Sequence, residues 1–261
     1  MWVQRHGRCL PTTGTCPEEQ SQCADRSPVT TPLPTPLPTA LSTQPSAALR
    51  TYAALAAVLG WTALGAQLWL TMGIVLGQGR GLAMGLVIYL GFFTVLTNML
   101  AALVLSAGAM GPALTGYRWL SSALTRTTTA GAITIVGLVY FAILRHSWHP
   151  EGLQLWTDAA LHYLMPTLVV VFWALVVPAG AISWRRVPWL AMYPLAYLVY
   201  VFLRGSITSL YPYDFIDVNK LGMGQSLLNS AAVMLAYSLV IALLMGLKAW
   251  RARSGQAGRP V

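Results

Sequence analysis

LAMGLVIYLGFFTVLTNMLAALVLSA, residues 82–107, contains no charged side chain and exceeds the about 20 apolar residues that a helix needs to cross a hydrocarbon core. A strand of a membrane barrel needs only about 9 to 11 residues and alternates lipid-facing with lumen-facing positions, which this run does not. It therefore reads as a transmembrane helix. Five further stretches of the same kind, residues 49–76, 125–144, 157–177, 187–203 and 225–247, surround it, the fifth in chain order being the shortest. The fold expected is all-α, a polytopic bundle of six transmembrane helices.

Composition agrees. Hydrophobic residues make up 56% of the chain and charged residues 9%, with a mean hydropathy of +0.60, far from the quarter-charged make-up of soluble domains. Lys and Arg fall unevenly between the loops. If the N-terminus is cytoplasmic, that side carries Arg50, Arg118, Arg126, Arg185, Arg186, Lys248, Arg251 and Arg253, against Arg80, Arg145, Arg204 and Lys220 opposite. The positive-inside rule then predicts both termini in the cytoplasm. The net charge of +9 follows from topology and contact with anionic lipid heads, so nucleic acid is not expected as a partner.

Three regions result. Residues 1–48 include PVTTPLPTPLPTALSTQPSAA, too poor in large apolar residues to build a core, and read as a disordered Pro/Ser/Thr-rich tail. Cys9, Cys16 and Cys23 lie there without a metal-ligand spacing, and a cytoplasmic tail disfavours a disulfide. No apolar core of a cleavable signal peptide is present, and a start codon downstream of the assigned one is an open alternative. Residues 49–247 form the membrane domain, and 248–261 a basic, disordered C-terminal tail.

Polar side chains inside the spans are costly in lipid and mark candidate function. In the second span Thr94, Thr97 and Asn98 share a helical face. In the fourth, WTDAALHYLMP places Asp158 one turn before His162, so a carboxylate can orient an imidazole and support its charged form. That is the base-plus-orienter pair of a nucleophilic hydrolase. Helix rise puts His162 roughly 8 Å, and Thr94 roughly 18 Å, below the outer boundary, so their depths do not coincide unless boundaries or tilt shift. Pro166 is expected to kink the fourth span. Tyr193, Tyr197, Tyr200 and Arg204 form one stripe on the fifth, where Arg204 either binds a substrate carboxylate or phosphate or pairs with Asp214 or Asp217. Gln225 and Asn229 share a face of the sixth, as oxyanion donors or as interhelical contacts. His146 and His149, in RHSWHPEGLQLW, make a poor metal motif, and neither a metal nor a cofactor is expected. Nucleotide fingerprints and the G-x-S-x-G elbow are missing.

The combination of FFTVLTNML, LHYLMP, YPLAYLVYVFLRG and YPYDFID resembles the bacterial six-helix relatives of the androgen-induced membrane protein family, over residues 49–247. The resemblance implies an intramembrane threonine hydrolase cleaving fatty acid esters of hydroxy fatty acids. It places the histidine at His162 and the nucleophile best at Thr94. In the family the polar residue following the threonine stands three positions on. Here Asn98 stands four on and Thr97 intervenes, so Thr97 is the rival nucleophile. The site expected is Thr94 and His162 as catalytic groups, Asp158, Asn98, Thr97 and Asn229 in support, and Arg204, Tyr200 and Tyr197 against the substrate, a lipid ester in a bacterial plasma membrane. A bundle that transports or binds lipid without chemistry is the alternative.

Overall fold

The computed structural model describes residues 46–146 and 148–257. Among them six helical stretches are long and apolar enough to cross a membrane: Ala47–Gly77, Phe93–Ala113, Ala123–His146, Gly152–Val176, Trp184–Thr208 and Val218–Arg253. The protein is an all-α polytopic membrane bundle, and no strand occurs among the described residues. Cys9, Cys16, Cys23 and the sequence before Ser46 lie outside those residues.

The elements that matter for the site are α1 (Ala47–Gly77), α2 (Leu82–Tyr89), α3 (Phe93–Met110), α4 (Ala123–Ala142) and α5 (Gly152–Ala159). A π-helical turn, Ala160–Leu164, joins α5 to α6 (Met165–Val176), followed by α7 (Met192–Thr208) and α8 (Val218–Ala257). Water drives no association between helices in lipid, so close fit and interhelical hydrogen bonds hold them. Ala53, Ala56 and Ala57 of α1 meet Ala101, Val104, Leu105 and Ala107 of α3 in one cluster, where small side chains let the backbones approach. At Gly60 a Cβ would lie 2.7 Å from Met165 Cε, so the glycine makes room for α6. Outward-facing Leu55, Trp69, Leu175, Leu203 and Leu243 are exposed, as a lipid-facing surface requires.

Two elements differ from the sequence reading. The run 82–107 is not one helix: α2 ends at Tyr89, and α3 begins at Phe93 after a break over Leu90, Gly91 and Phe92. Interrupted backbone at membrane depth survives only where its polar groups find partners inside the protein. Here the Tyr200 hydroxyl donates to the Leu90 carbonyl at 3.3 Å and the Tyr197 hydroxyl to the Gly91 carbonyl at 3.0 Å. The Arg204 guanidinium lies against Gly91, where a Cβ would come within 2.6 Å of its Cζ. The second difference is at the C-terminus. There α8 continues past Leu247 to Ala257, so this part of the basic tail is helical, and Lys248 Nζ donates to the Ala174 and Val177 carbonyls at the end of α6.

Candidate active site

The break in the second span brings Thr94 into the first turn of α3. With Phe92 as its N-cap and no side-chain cap from that residue, this helix end leaves its first amides to partners from elsewhere in the protein. Thr94 Oγ1 lies 3.4 Å from His162 Nε2. On the other side of the ring, His162 Nδ1 stands 3.3 Å from the Asp158 carboxylate and 3.0 Å from the Asp158 backbone carbonyl. Two acceptors at Nδ1 favour the tautomer that carries its proton there, leaving the Nε2 lone pair toward the threonine hydroxyl. The Tyr140 ring stacks on the imidazole, centroids 4.1 Å apart at 19°.

The turn that carries His162 has a local cause. Met165 N–H reaches back five residues to the Ala160 carbonyl, which is the π pattern. The next residue, Pro166, has no N–H, so the Leu161 carbonyl has no helical donor in that register. Asn98 Nδ2 fills the gap, donating to Leu161 O at 3.2 Å and to Thr94 O at 2.9 Å. Pro166 thus goes with a π turn, a bulge of the kind that recurs at functional sites, and Asn98 ties α3 to that turn. A fully buried side chain spent on two carbonyls is no oxyanion donor.

Thr97 is fully buried too, and its hydroxyl meets the Tyr193 hydroxyl at 3.1 Å, away from the imidazole. Of the two threonines, only Thr94 is bonded to His162. Asn229 Nδ2 donates to the Phe215 carbonyl at 2.8 Å while its Oδ1 accepts from Gln225, so it fastens the loop after α7. Arg204 is 9% exposed, with Nη1 on the Leu210 carbonyl at 3.3 Å and Nε unpartnered. Asp214 pairs with Lys220 and not with Arg204. Tyr197, Tyr200 and Arg204 gather at the helix break, and Tyr197 also borders a small apolar slot beside Thr94. None of the three is in the wall of the cavity described next.

That loop supplies a residue the sequence reading left without a role. Tyr213 OH accepts from the Thr94 N–H at 3.3 Å and lies 3.5 Å from Thr94 Oγ1. Burial pushes the Tyr213 phenol up, which keeps it protonated and able to donate. The YPYDFID motif was visible, but nothing local said that its second tyrosine reaches back to α3. Thr94, Asp158, His162, Tyr213 and Asn229 all line one cavity of about 970 Å³, at the upper end of the range of small-molecule sites. Among the described residues no three His, Cys, Asp or Glu side chains gather as a metal site would require.

The chain matches no family model, no curated protein and no solved structure. What the site defines is a threonine, histidine and aspartate in series at the wall of a cavity within a membrane bundle.

Proposed function

We propose that this protein is an intramembrane hydrolase of lipid esters, with Thr94 as nucleophile, His162 as general base and Asp158 as the group that orients and charge-stabilises the imidazole. The observation that carries the reading is the continuous series Thr94 Oγ1, His162 Nε2, His162 Nδ1 and Asp158 Oδ1, with steps of 3.4 and 3.3 Å, open to a large cavity. A threonine hydroxyl is a weak nucleophile until a base takes its proton, and the distance to Nε2 is near that of such bases before substrate binds.

In the first half-reaction Thr94 Oγ1 bonds to the ester carbonyl carbon while its proton passes to His162 Nε2. The carbonyl oxygen becomes an oxyanion, for which the Tyr213 hydroxyl is the donor at hand. The C–O bond then breaks, the leaving alkoxide takes the proton from His162, and the acyl group remains on Thr94. Water, deprotonated by the same imidazole, releases the fatty acid and restores the threonine. The resemblance to the androgen-induced membrane protein family belongs to this proposal, as do a plasma-membrane location and cytoplasmic termini. Purified protein is assayed for fatty acid release from a panel of lipid esters beside Thr94→Ala and His162→Ala. Turnover by wild type and by neither variant is expected. Equal release from all three, each well folded, would reject the hydrolase and leave a lipid-binding or transport bundle.

A further inference from the structure

The cavity's walls carry information about the leaving group that the catalytic series does not. Thr94 and Tyr213 stand between two unlike spaces. One is a small apolar slot of about 60 Å³ bordered by Ile135, Val136, Val139, Leu198, Val233 and Met234. The other is the large cavity, whose wall sets Gln67, Thr71, Gln78 and Gln154 among apolar side chains such as Ile74, Val75 and Ile88. An ester bound for attack by Thr94 has its two arms on opposite sides of the carbonyl. The apolar slot suits the acyl arm, which leaves the alcohol arm in the large cavity.

Among the described residues no Lys or Arg belongs to the lining of that cavity. Its carboxylates are already engaged, Asp158 with His162 and Asp214 with Lys220. Arg145, beside the lining residue Leu144, lies 3.7 Å over the Phe141 ring, and Arg204, with Nη1 on the Leu210 carbonyl, is outside that lining. An anionic alcohol, such as a hydroxy fatty acid with its free carboxylate, would meet only a cation already paired, Lys220 on Asp214, and where the cavity excludes water that is unfavourable. Among the described lining residues a cation finds no unpaired carboxylate either. The amides are another matter: each offers both donors and acceptors, matching the bifunctional hydroxyl group. Gln154 Nε2 donates to Gln67 Oε1 at 2.9 Å and Thr157 donates to the same oxygen at 3.1 Å. Gln67 Nε2 keeps only a 3.5 Å contact with Gln154 Oε1, so it retains donor capacity.

We infer that the alcohol half of the substrate is an uncharged polyol, as in an acylglycerol, seated against Gln67, Thr71, Gln78 and Gln154. The inference rests on the hydrolase reading for the placement of the two arms, but its test needs no turnover. Protein in phosphatidylcholine nanodiscs is titrated with three non-hydrolysable probes of equal alkyl length: 1-O-octylglycerol, 3-octyloxypropanoate and an octyl trimethylammonium ether. The glycerol ether is expected to bind about tenfold or more tightly than either charged probe. Gln67→Leu should lower that ratio severalfold by weakening the glycerol ether alone. Gln78→Arg, at an exposed position that tolerates the change, should shift it at least severalfold toward the carboxylate. Binding of the carboxylate or the cation as tight as that of the glycerol ether would overturn the inference, as would a ratio unmoved by both substitutions. Preferential binding of the glycerol ether without cleavage of any ester would sustain the cavity assignment and remove the chemistry. Ester cleavage with preference for the carboxylate probe would do the reverse.

Discussion

Replacing Asp158 by Asn separates two functions that a carboxylate beside a catalytic histidine usually combines. The first is to fix the tautomer. Here the Asp158 backbone carbonyl, 3.0 Å from His162 Nδ1, holds the Nδ1 proton by itself and is untouched by the substitution. The second, in the proposed hydrolysis, is to stabilise the imidazolium formed as Thr94 loses its proton. With 3.3 Å between Nδ1 and the carboxylate, and an effective dielectric constant of about 20, two full charges attract by about 5 kcal/mol. In the transition state the proton is about half transferred, so about 2–3 kcal/mol is lost, or roughly 30- to 150-fold in kcat. Initial rates of fatty acid release, with thermal unfolding to verify the fold, give the number directly. His162→Ala, which removes the base, is expected to fall to the uncatalysed rate. If Asp158→Asn keeps half of wild-type activity, the carboxylate has no electrostatic part in catalysis. If it is as inactive as His162→Ala, the backbone carbonyl does not hold the tautomer.

Other substitutions probe the same geometry. Thr97→Val should keep kcat within about twofold, losing about 1 kcal/mol of stability through the orphaned Tyr193 hydroxyl, and inactivity comparable to Thr94→Ala would reinstate Thr97 as nucleophile. Asn98→Leu strips the Leu161 carbonyl of its donor, which costs about 1–3 kcal/mol; a lowered thermal midpoint together with reduced kcat is expected, and an unchanged midpoint would contradict the tie between α3 and the π turn. Tyr213→Phe removes a hydroxyl 3.5 Å from Thr94 Oγ1 and should lower kcat by about 10²-fold with little change in KM, whereas a pure KM effect would move Tyr213 from the oxyanion to substrate binding.

Thr94, His162 and Asp158 were legible because polar groups stand out against an apolar background, and because a four-residue spacing within one helix guarantees that Asp158 can reach His162. The long separations were not legible. Thr94 and Tyr213 are 119 residues apart, and no pattern in either segment encodes the other. The fifth-span stripe is one face, as its spacing predicts, and Tyr197 and Tyr200 on it serve the carbonyls of a helix break that a continuous apolar run does not announce. Gly91 was the available signal, but a lone glycine within an apolar run is ordinary in membrane helices. The estimated depth gap between Thr94 and His162 came from counting along one unbroken helix, an assumption this break removes.

By itself the sequence determined the class of fold, because the cost of placing backbone in lipid leaves long apolar runs no alternative to helices, and it marked the few side chains that are expensive at that depth. Tertiary structure alone decided which threonine meets the histidine, where the second span breaks, and that Asn98 and the tyrosines hold the backbone in place. The reason is physical. A helix surrounded by hydrocarbon is apolar on its outer face and nearly as apolar on its inner one, so periodicity says little about facing partners. These are chosen by close fit and by hydrogen bonds between distant segments.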